Sequence, residues 1–282
     1  MIFISTSGFK KQKISTIIDI LANKGFKNIE LSGGSIFYEN IEDDLLKLKK
    51  KFNLNLQLHN YFPPHKKDFV LNLSSNNKEI FSKSIDHYKK SIEISKKLNA
   101  NKFALHAGYL IDPDVSELGK EINKKIFINK SDGIKKFVEG YKILKSYAGK
   151  NFNLYVENNV ISQKNYQNFS FKNPLLFTDF NSYLELKREL DFEILLDIAH
   201  LKVSCTSLGL DFKKEFEELS KLTNYFHISG NDGLSDTNES ICSDKALNKI
   251  INKSNMENKM ITLEIYSGIE DIENSYKYLN EI

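Results

Sequence analysis

Eight short apolar runs recur along the chain with helical segments between them, and this alternation constrains the fold more than any other feature. The runs are "FIST" near Phe3, "IEL" from Ile29, "LNLQLH" from Leu54, "FALH" from Phe103, "LYVE" from Leu154, "ILLD" from Ile194, "YFHI" from Tyr225 and "ITLEI" from Ile261. They are mostly continuous, which is typical of strands buried on both faces of a parallel sheet. Between them, apolar residues follow the i, i+3, i+4, i+7 spacing of amphipathic helices, as at Ile14, Ile17, Ile18 and Leu21.

Eight strand–helix units in 282 residues predict a single (β/α)8 TIM-barrel domain over residues 1–282. An open doubly wound sheet usually has fewer strands and a glycine-rich first turn, and the turn "STSGFKKQ" lacks that motif. Gly33 and Gly34 predict a tight loop after the second strand. The stretch "ISQKNYQNFSFKNP", residues 161–174, predicts a longer loop after the fifth strand.

Charge and cysteine content exclude several classes of protein. Lysine and arginine total 40 against 37 acidic residues, and Arg188 is the single arginine, so we expect no nucleic-acid partner. Cys205 and Cys242 fit neither a disulfide framework nor a zinc site. The N-terminus has no basic region or long apolar segment, which predicts a cytoplasmic protein without a membrane partner. A homo-oligomer stays open.

Polar side chains end six of the predicted strands. They are His59, His106, Glu157, Asp197, His227 and Glu264. In a barrel the carboxyl ends of all strands face one mouth, where the active-site loops converge. Taken singly, each residue has an ordinary explanation, such as a hydrogen-bonded histidine or a solvated strand end. Buried carboxylates cost several kcal/mol unless they are paired or bind a metal. Three acids and three imidazoles that converge on one place therefore need a cation or each other, and we predict a cation site.

Some neighbouring residues carry a more specific pattern and others a weaker one. Asp197 and His200 in "LLDIAH" are three residues apart, which lets both face one site, although an aspartate there could instead cap the following turn. For Asp232 and Asp236 we favour a role as turn residues beside Gly230 and Gly233 over a role as ligands. Glu264 is hardest to explain structurally, because "MITLEIYSG" is apolar on both sides of it.

The ordered set of motifs resembles the xylose isomerase-like barrels, the superfamily of sugar-phosphate isomerases/epimerases and endonuclease IV. The motifs are "VEN" on strand five, "LDIAH" on strand six, "FHISGNDG" followed by "SD" on strand seven, and "LEIY" on strand eight. "GFKNIEL" at strand two and "LHAG" at strand four extend the resemblance over most of the chain. The resemblance implies a TIM barrel with a metal-dependent active site at its mouth.

The resemblance also implies a role for each matching residue. The family's metal ligands match Glu157, Asp197, His227 and Glu264. Its substrate-contacting histidine matches His200, and in the epimerase branch Glu157 and Glu264 also act as acid and base.

Further matches concern a second metal. His59 and His106 match histidines that line the pocket in sugar isomerases and bind a second metal in the nuclease branch; we expect the pocket-lining role. That branch holds a third metal with an Asp-x-His motif, whereas the matching residues here are Asp236, Thr237 and Asn238. Asp236 thus remains a candidate loop ligand, and the missing histidine argues against a three-metal nuclease.

The chemistry follows from the side chains themselves. Three carboxylates and one imidazole suit Mn²⁺ or Mg²⁺, and the nitrogen ligand also admits Co²⁺ and Zn²⁺. Such an ion can act as a Lewis acid that stabilises an enediolate, while one carboxylate removes the proton beside a carbonyl and another returns it. We therefore predict a metal-dependent isomerase or epimerase of a sugar or sugar-like polyol, with Mn²⁺ as the expected ion.

Three alternatives to this function stay open. They are an inosose-type dehydratase, an endonuclease IV-like AP endonuclease and a non-catalytic sugar-binding barrel. Epimerases of the family often carry an arginine shortly after the strand-seven histidine, where this chain has Gly233. Phosphate binding would rest on Lys202 or loop amides, so the sequence does not indicate a phosphorylated substrate.

Overall fold

Eight parallel strands and ten α-helices make up the regular structure in a computed structural model that describes residues 1–123, 125–254 and 256–281. The strands are β1 (Ile2–Ser5), β2 (Asn28–Leu31), β3 (Asn55–His59), β4 (Lys102–His106), β5 (Asn153–Glu157), β6 (Glu193–Asp197), β7 (Tyr225–Ile228) and β8 (Met260–Leu263). The helices are α1 (Ile14–Asn23), α2 (Ile41–Phe52), α3 (Lys78–Lys97), α4 (Lys130–Ala148), α5 (Gln163–Asn168), α6 (Phe180–Glu189), α7 (Ile198–Leu208), α8 (Phe212–Leu219), α9 (Lys245–Ile251) and α10 (Ile269–Glu281).

The strands form a closed barrel in chain order, in which every strand pairs in parallel with the next and β8 pairs with β1. The predicted (β/α)8 TIM barrel is therefore confirmed. Each of the eight observed strands overlaps one of the apolar runs that were predicted to be strands. The single-domain assignment over residues 1–282 stays a prediction.

The predicted long loop at residues 161–174 contains a helix that the sequence pattern did not reveal. Helix α5 is only six residues long, and the Ser162 side chain caps it by accepting a hydrogen bond from the Asn165 backbone N–H at 3.3 Å. A helix of fewer than two turns is too short to develop an apolar stripe, so the sequence pattern gives no sign of it.

Alternate residues of each strand face opposite sides of the barrel wall. Outward residues such as Phe103, Leu105, Ile194 and Leu196 belong to the main hydrophobic core between strands and helices. A much smaller apolar cluster of Ala104, Leu195 and Tyr225 lies inside the barrel, with Tyr155 and Met260 packed against it. The polar residues Glu30, Gln57 and Thr262 are also buried and lie on the same inner side of the barrel wall.

Strand register determines which strand ends are neighbours. His106 pairs with Glu157 across β4 and β5, and Asp197 pairs with His227 across β6 and β7. Glu264 follows β8 directly, and its backbone N–H donates to the Ile228 carbonyl at 3.1 Å. The register therefore brings the polar strand ends to one level of the barrel.

The two cysteines form no disulfide bond with each other. Cys205 is buried and Cys242 is exposed, and both are free thiols. Over the described ranges, none of the helices has the length and apolar character needed to cross a bilayer.

A pair of histidines lies outside the barrel mouth. His87 on α3 is 2% exposed, and its Nδ1 lies 2.6 Å from Nε2 of His65 in the loop after β3. Burial, with a smaller contribution from His65, lowers the pKa of His87 to about 3. His87 is therefore neutral in the folded protein throughout the pH range in which an unfolded histidine titrates.

This burial predicts a loss of stability in mild acid. Below pH about 6.5 the unfolded chain binds a proton at His87 that the folded chain does not, so the free energy of unfolding falls by up to about 1.4 kcal/mol per pH unit. Urea unfolding at several pH values between 7 and 5 measures this slope. In His87→Gln we expect a shallower slope than in the wild type, because both proteins share every other titrating group. Equal slopes in the two proteins would contradict the prediction.

Candidate metal centre at the barrel mouth

Glu157 lies at the centre of the converging strand ends and is fully buried. Its Oε2 lies 2.8 Å from His59 Nε2 and 3.2 Å from His106 Nε2. Its Oε1 lies 3.3 Å from His227 Nδ1. One carboxylate thus contacts imidazoles from β3, β4 and β7, which explains how its charge is tolerated inside the protein.

The predicted ligands from the other strands meet at His227. The Nδ1 atom of this ring lies 3.1 Å from Glu264 Oε2 and 3.9 Å from Asp197 Oδ2. Together with Glu157, these contacts bring all four predicted metal ligands into one cluster. Their roles as ligands stay a prediction.

Four buried atoms of the predicted ligands make no hydrogen bond to any part of the chain that the structure describes. They are Glu157 Oε1, Asp197 Oδ2 and both ring nitrogens of His227. Ligand atoms of the same three residues lie within 4.8 Å of one another. Orphaned buried polar atoms are rare in proteins and call for a partner. Two carboxylate oxygens and an imidazole nitrogen around one point fit a divalent cation.

A second triad shares the central glutamate. Ligand atoms of His59, His106 and Glu157 also lie within 4.8 Å of one another. The positions of the two histidines are therefore compatible with both roles, as pocket-lining groups and as ligands of a second cation.

The three acids of the cluster differ in the direction of their pKa shifts. Burial disfavours ionisation of Glu157, but His106 and His59 outweigh burial and hold its pKa well below the usual value. Burial likewise opposes ionisation of Glu264, whose contact with His227 nevertheless lowers its pKa to about 2. For Asp197 burial dominates and raises the pKa to about 7. Glu157 and Glu264 are thus ionised at neutral pH, and a cation beside Asp197 would favour its ionised form as well.

Asp197 combines the two roles that the sequence left open. Its Oδ1 accepts a hydrogen bond from the His200 backbone N–H at 2.7 Å and caps α7. Its Oδ2 faces the cluster and lies 3.8 Å from His200 Nε2. The capping bond fixes the side chain, so that the second oxygen points to the site.

His200 links the cluster to the loop after β7. Its Nε2 lies 3.3 Å from Asp236 Oδ2, and Asn238 Nδ2 donates to the same oxygen at 3.0 Å. The side-chain oxygen of Asn238 in turn accepts a bond from the Ser229 hydroxyl at 2.9 Å. Asp232, by contrast, is a turn residue whose Oδ1 accepts bonds from the backbone N–H groups of the loop.

Asn158 is a site residue that sequence reasoning missed. Its side chain accepts from the Asp197 N–H at 2.7 Å and donates to the Asp197 carbonyl at 2.9 Å. Its own carbonyl lies 2.8 Å from His200 Nδ1. Asn158 therefore holds both Asp197 and His200 in place. The one signal in the sequence for such a role was its position directly after Glu157.

The barrel mouth opens into a cavity of about 1130 Å³ that reaches the cluster at Glu157 and Glu264. Asn60, 2% exposed, lines the cavity, and neither polar atom of its amide is bonded within the described ranges. The lysines that line the cavity are Lys10, Lys11, Lys66, Lys120 and Lys164.

Lys202, which the sequence left as a possible phosphate ligand, is not among the residues that line the mouth cavity. Its Nζ donates to Asp244 Oδ2 and to the Asn231 carbonyl, each at 2.6 Å. These two bonds leave one of the three ammonium donors, so a phosphate contact by Lys202 stays a prediction.

Comparison with known proteins gives one family and several similar folds. The sequence model of the xylose isomerase-like TIM-barrel family matches residues 18–282. No curated protein matches the chain by sequence. A D-tagatose 3-epimerase-like protein superposes with a TM-score of 0.73 at 17% identity, covering 99% of this chain and 96% of that one.

Two other solved structures represent different activities on the same fold. The 3-keto-D-glucoside 4-epimerase from E. coli has a TM-score of 0.67 at 10% identity, covering 100% of this chain and 99% of that one. Endonuclease IV from Thermus thermophilus has a TM-score of 0.61 at 14% identity, with the same coverage. At these identities the similarity shows the fold alone.

The cluster predicts that Asp197→Asn abolishes stabilisation by divalent cations. Asparagine keeps the helix cap, since it also accepts the His200 N–H bond, but it lacks the charge. A cation that binds the folded protein at 100 times its Kd stabilises it by about 2.7 kcal/mol, and the variant should lose this gain. Thermal unfolding with and without Mn²⁺ measures the difference.

The matched control for this experiment is Asp68→Asn, because Asp68 is an exposed carboxylate that lines the same cavity. We expect this variant to respond to Mn²⁺ like the wild type. An Asp197→Asn protein that Mn²⁺ stabilises as strongly as the wild type would exclude Asp197 as a ligand.

Proposed function

The chain belongs to the xylose isomerase-like TIM-barrel family, and from that premise we propose that it is a divalent-metal-dependent isomerase or epimerase of a sugar or sugar-like polyol. The observation that carries the proposal is the set of orphaned atoms on Glu157, Asp197 and His227, of which Glu157 lines the mouth cavity. With Glu264 beside His227, these residues would hold one cation, with Mn²⁺ expected ahead of Mg²⁺, Co²⁺ and Zn²⁺. When bound, the ion would supply Lewis-acid stabilisation to negative charge that develops on a substrate oxygen.

The two glutamates would exchange the carbon-bound proton of the substrate. Both are ionised at neutral pH, so each can accept a proton. Glu264 is the more accessible, with a side chain 13% exposed against 1% for Glu157. The Tyr266 hydroxyl donates to Glu264 Oε1 at 3.0 Å and orients that carboxylate towards the cavity. We therefore assign the first proton abstraction to Glu264. Glu157, which is ionised at rest, would return a proton to the substrate only after taking one up from a substrate hydroxyl or from solvent, and Glu264 would release its proton to solvent.

Hydroxyl recognition would fall to the imidazoles around the cluster. His200, His59 and His106 all line the cavity. Burial lowers the pKa of His106 to about 4, so its ring is neutral and can donate or accept one bond. The unbonded amide of Asn60 adds two donors and an acceptor beside His59. This arrangement suits a small carbohydrate, and a cytoplasmic location stays the prediction made from the sequence.

Glutamine variants test the proton-transfer roles. Glu264→Gln and Glu157→Gln keep side-chain size but cannot take a proton, and loss of a positioned acid or base typically lowers the rate by about 10²–10⁴-fold. The assay incubates the protein with candidate ketoses in deuterated water and follows deuterium entry beside the carbonyl. We expect exchange in the wild type and its loss in both variants.

Glu121→Gln is the control, because Glu121 lines the cavity but is exposed and pairs with Lys164. Metal content must be measured in each variant, so that a lost proton carrier is distinguished from a lost ligand. Turnover without deuterium entry would favour a hydride shift. Undiminished turnover in both glutamine variants would remove these residues from the mechanism.

The triad around Glu157 supports a second candidate function, phosphodiester cleavage of the endonuclease IV type. Its Oε2 lies between His59 and His106, as a bridging ligand for a second cation would. Against a third cation, the position that would supply an imidazole in the Asp-x-His motif is Asn238, whose amide donates to Asp236 Oδ2 at 3.0 Å. The single arginine also offers little support for DNA binding.

Metal stoichiometry separates the two candidate functions. We expect one tightly bound divalent ion per chain by elemental analysis, and His106→Gln should keep it. Two or three equivalents of zinc in the wild type, with one lost in His106→Gln, would favour the nuclease. Cleavage of duplex DNA at an abasic site, absent from His106→Gln, would then identify the activity.

A further inference from the structure

Glu30 is a buried acid that belongs to none of the predicted roles. It lies in the middle of β2, below the mouth, and is 0% exposed. Its Oε2 accepts hydrogen bonds from Gln57 Nε2 at 2.7 Å, Thr262 Oγ1 at 3.0 Å and the Tyr225 hydroxyl. Three donors from β3, β7 and β8 therefore hold one oxygen of this carboxylate.

The other oxygen of Glu30 faces the metal cluster. Glu30 Oε1 lies 2.8 Å from Nε2 of His227. The opposite nitrogen of that ring, Nδ1, lies 3.1 Å from Glu264 Oε2 and 3.3 Å from Glu157 Oε1. His227 is 0% exposed, so these carboxylates from two sides define the environment of its nitrogens.

We propose that Glu30 is a positioning residue that fixes the proton of His227 on Nε2 and thereby leaves the Nδ1 lone pair free for the cation. An imidazole ligand must offer an unprotonated nitrogen to the metal, and its second nitrogen then carries the proton. Glu30 Oε1 lies 2.8 Å from that second nitrogen and is placed to receive its proton, and neither atom has another hydrogen-bond partner within the described residues. The inference rests on the proposed cation site but not on the proposed reaction.

The contacts of Glu30 explain why this carboxylate can serve His227. A buried carboxylate is costly unless all its acceptor sites are used. Gln57, Thr262 and Tyr225 satisfy Oε2 and hold the carboxylate plane, so Oε1 is directed at the ring. Partners of this kind orient ligating histidines and raise their basicity, and their loss typically weakens metal binding by about 10–100-fold.

The test is Co²⁺ binding to Glu30→Gln, with Thr262→Val as the matched control. Thr262→Val removes one hydrogen bond from the same carboxylate but leaves the contact with His227. We expect Glu30→Gln to bind Co²⁺ about 10–100-fold more weakly, with a changed visible absorption spectrum. Thr262→Val should keep the affinity and spectrum of the wild type. A purely structural role would instead lower the unfolding temperature of both variants and leave the spectra equal.

A second measurement needs no Glu30 variant and decides the matter if Glu30→Gln does not fold. Long-range ¹H–¹⁵N correlation of the Zn²⁺-loaded protein identifies the protonated nitrogen of His227, which is assigned by its loss in His227→Gln. We expect the proton on Nε2, and a proton on Nδ1 would overturn the inference. Unchanged Co²⁺ affinity and spectrum in a folded Glu30→Gln would overturn it alone. Absence of divalent-cation binding by the wild type would overturn the cation site together with it.

Discussion

The contact between the Glu157 carboxylate and three imidazoles is the interaction on which the barrel mouth depends. A fully buried negative charge costs several kcal/mol unless it is paired, and His59, His106 and His227 surround it from three strands. The remaining groups are arranged around this centre. Glu264 contacts the same imidazole nitrogen as Glu157, and the neighbouring strand contributes Asp197. The mouth is therefore one electrostatic unit in which each charge is tolerated because of the others.

Much of this arrangement could be predicted from local sequence patterns. Continuous apolar runs and helical periodicity were sufficient for the barrel, because outward strand residues and one helix face share a single core. The polar strand ends also stood out, because each follows an apolar run. Glu30 did not stand out, since one charge inside "IEL" gives no sign of whether it faces the barrel interior or the helices. Helix α5 was missed because six residues are too few to develop a periodic pattern. The pairing of Lys202 with Asp244 joins residues far apart in the chain, which periodicity does not encode.

Several residues at the mouth serve the fold and the site together. Asp197 caps α7 with one oxygen and faces the cluster with the other, so the helix start and the predicted ligand cannot be separated. Asn158 bonds both backbone groups of Asp197 and also contacts His200. Such double roles mean that substitutions here change stability and chemistry at once, which is why the proposed variants preserve shape or hydrogen bonding.

The register that makes His106 the partner of Glu157, and Asp197 the partner of His227, also bears on how the chain reaches its fold. A slip of one residue between neighbouring strands would turn every side chain of a strand to the opposite face. Glu157 would then lie among the apolar residues beneath the helices, without an imidazole beside it. Misaligned barrels are thus heavily penalised by the same charges that form the mouth. The acids and histidines of the site therefore favour the native strand register, because only that register pairs their buried charges.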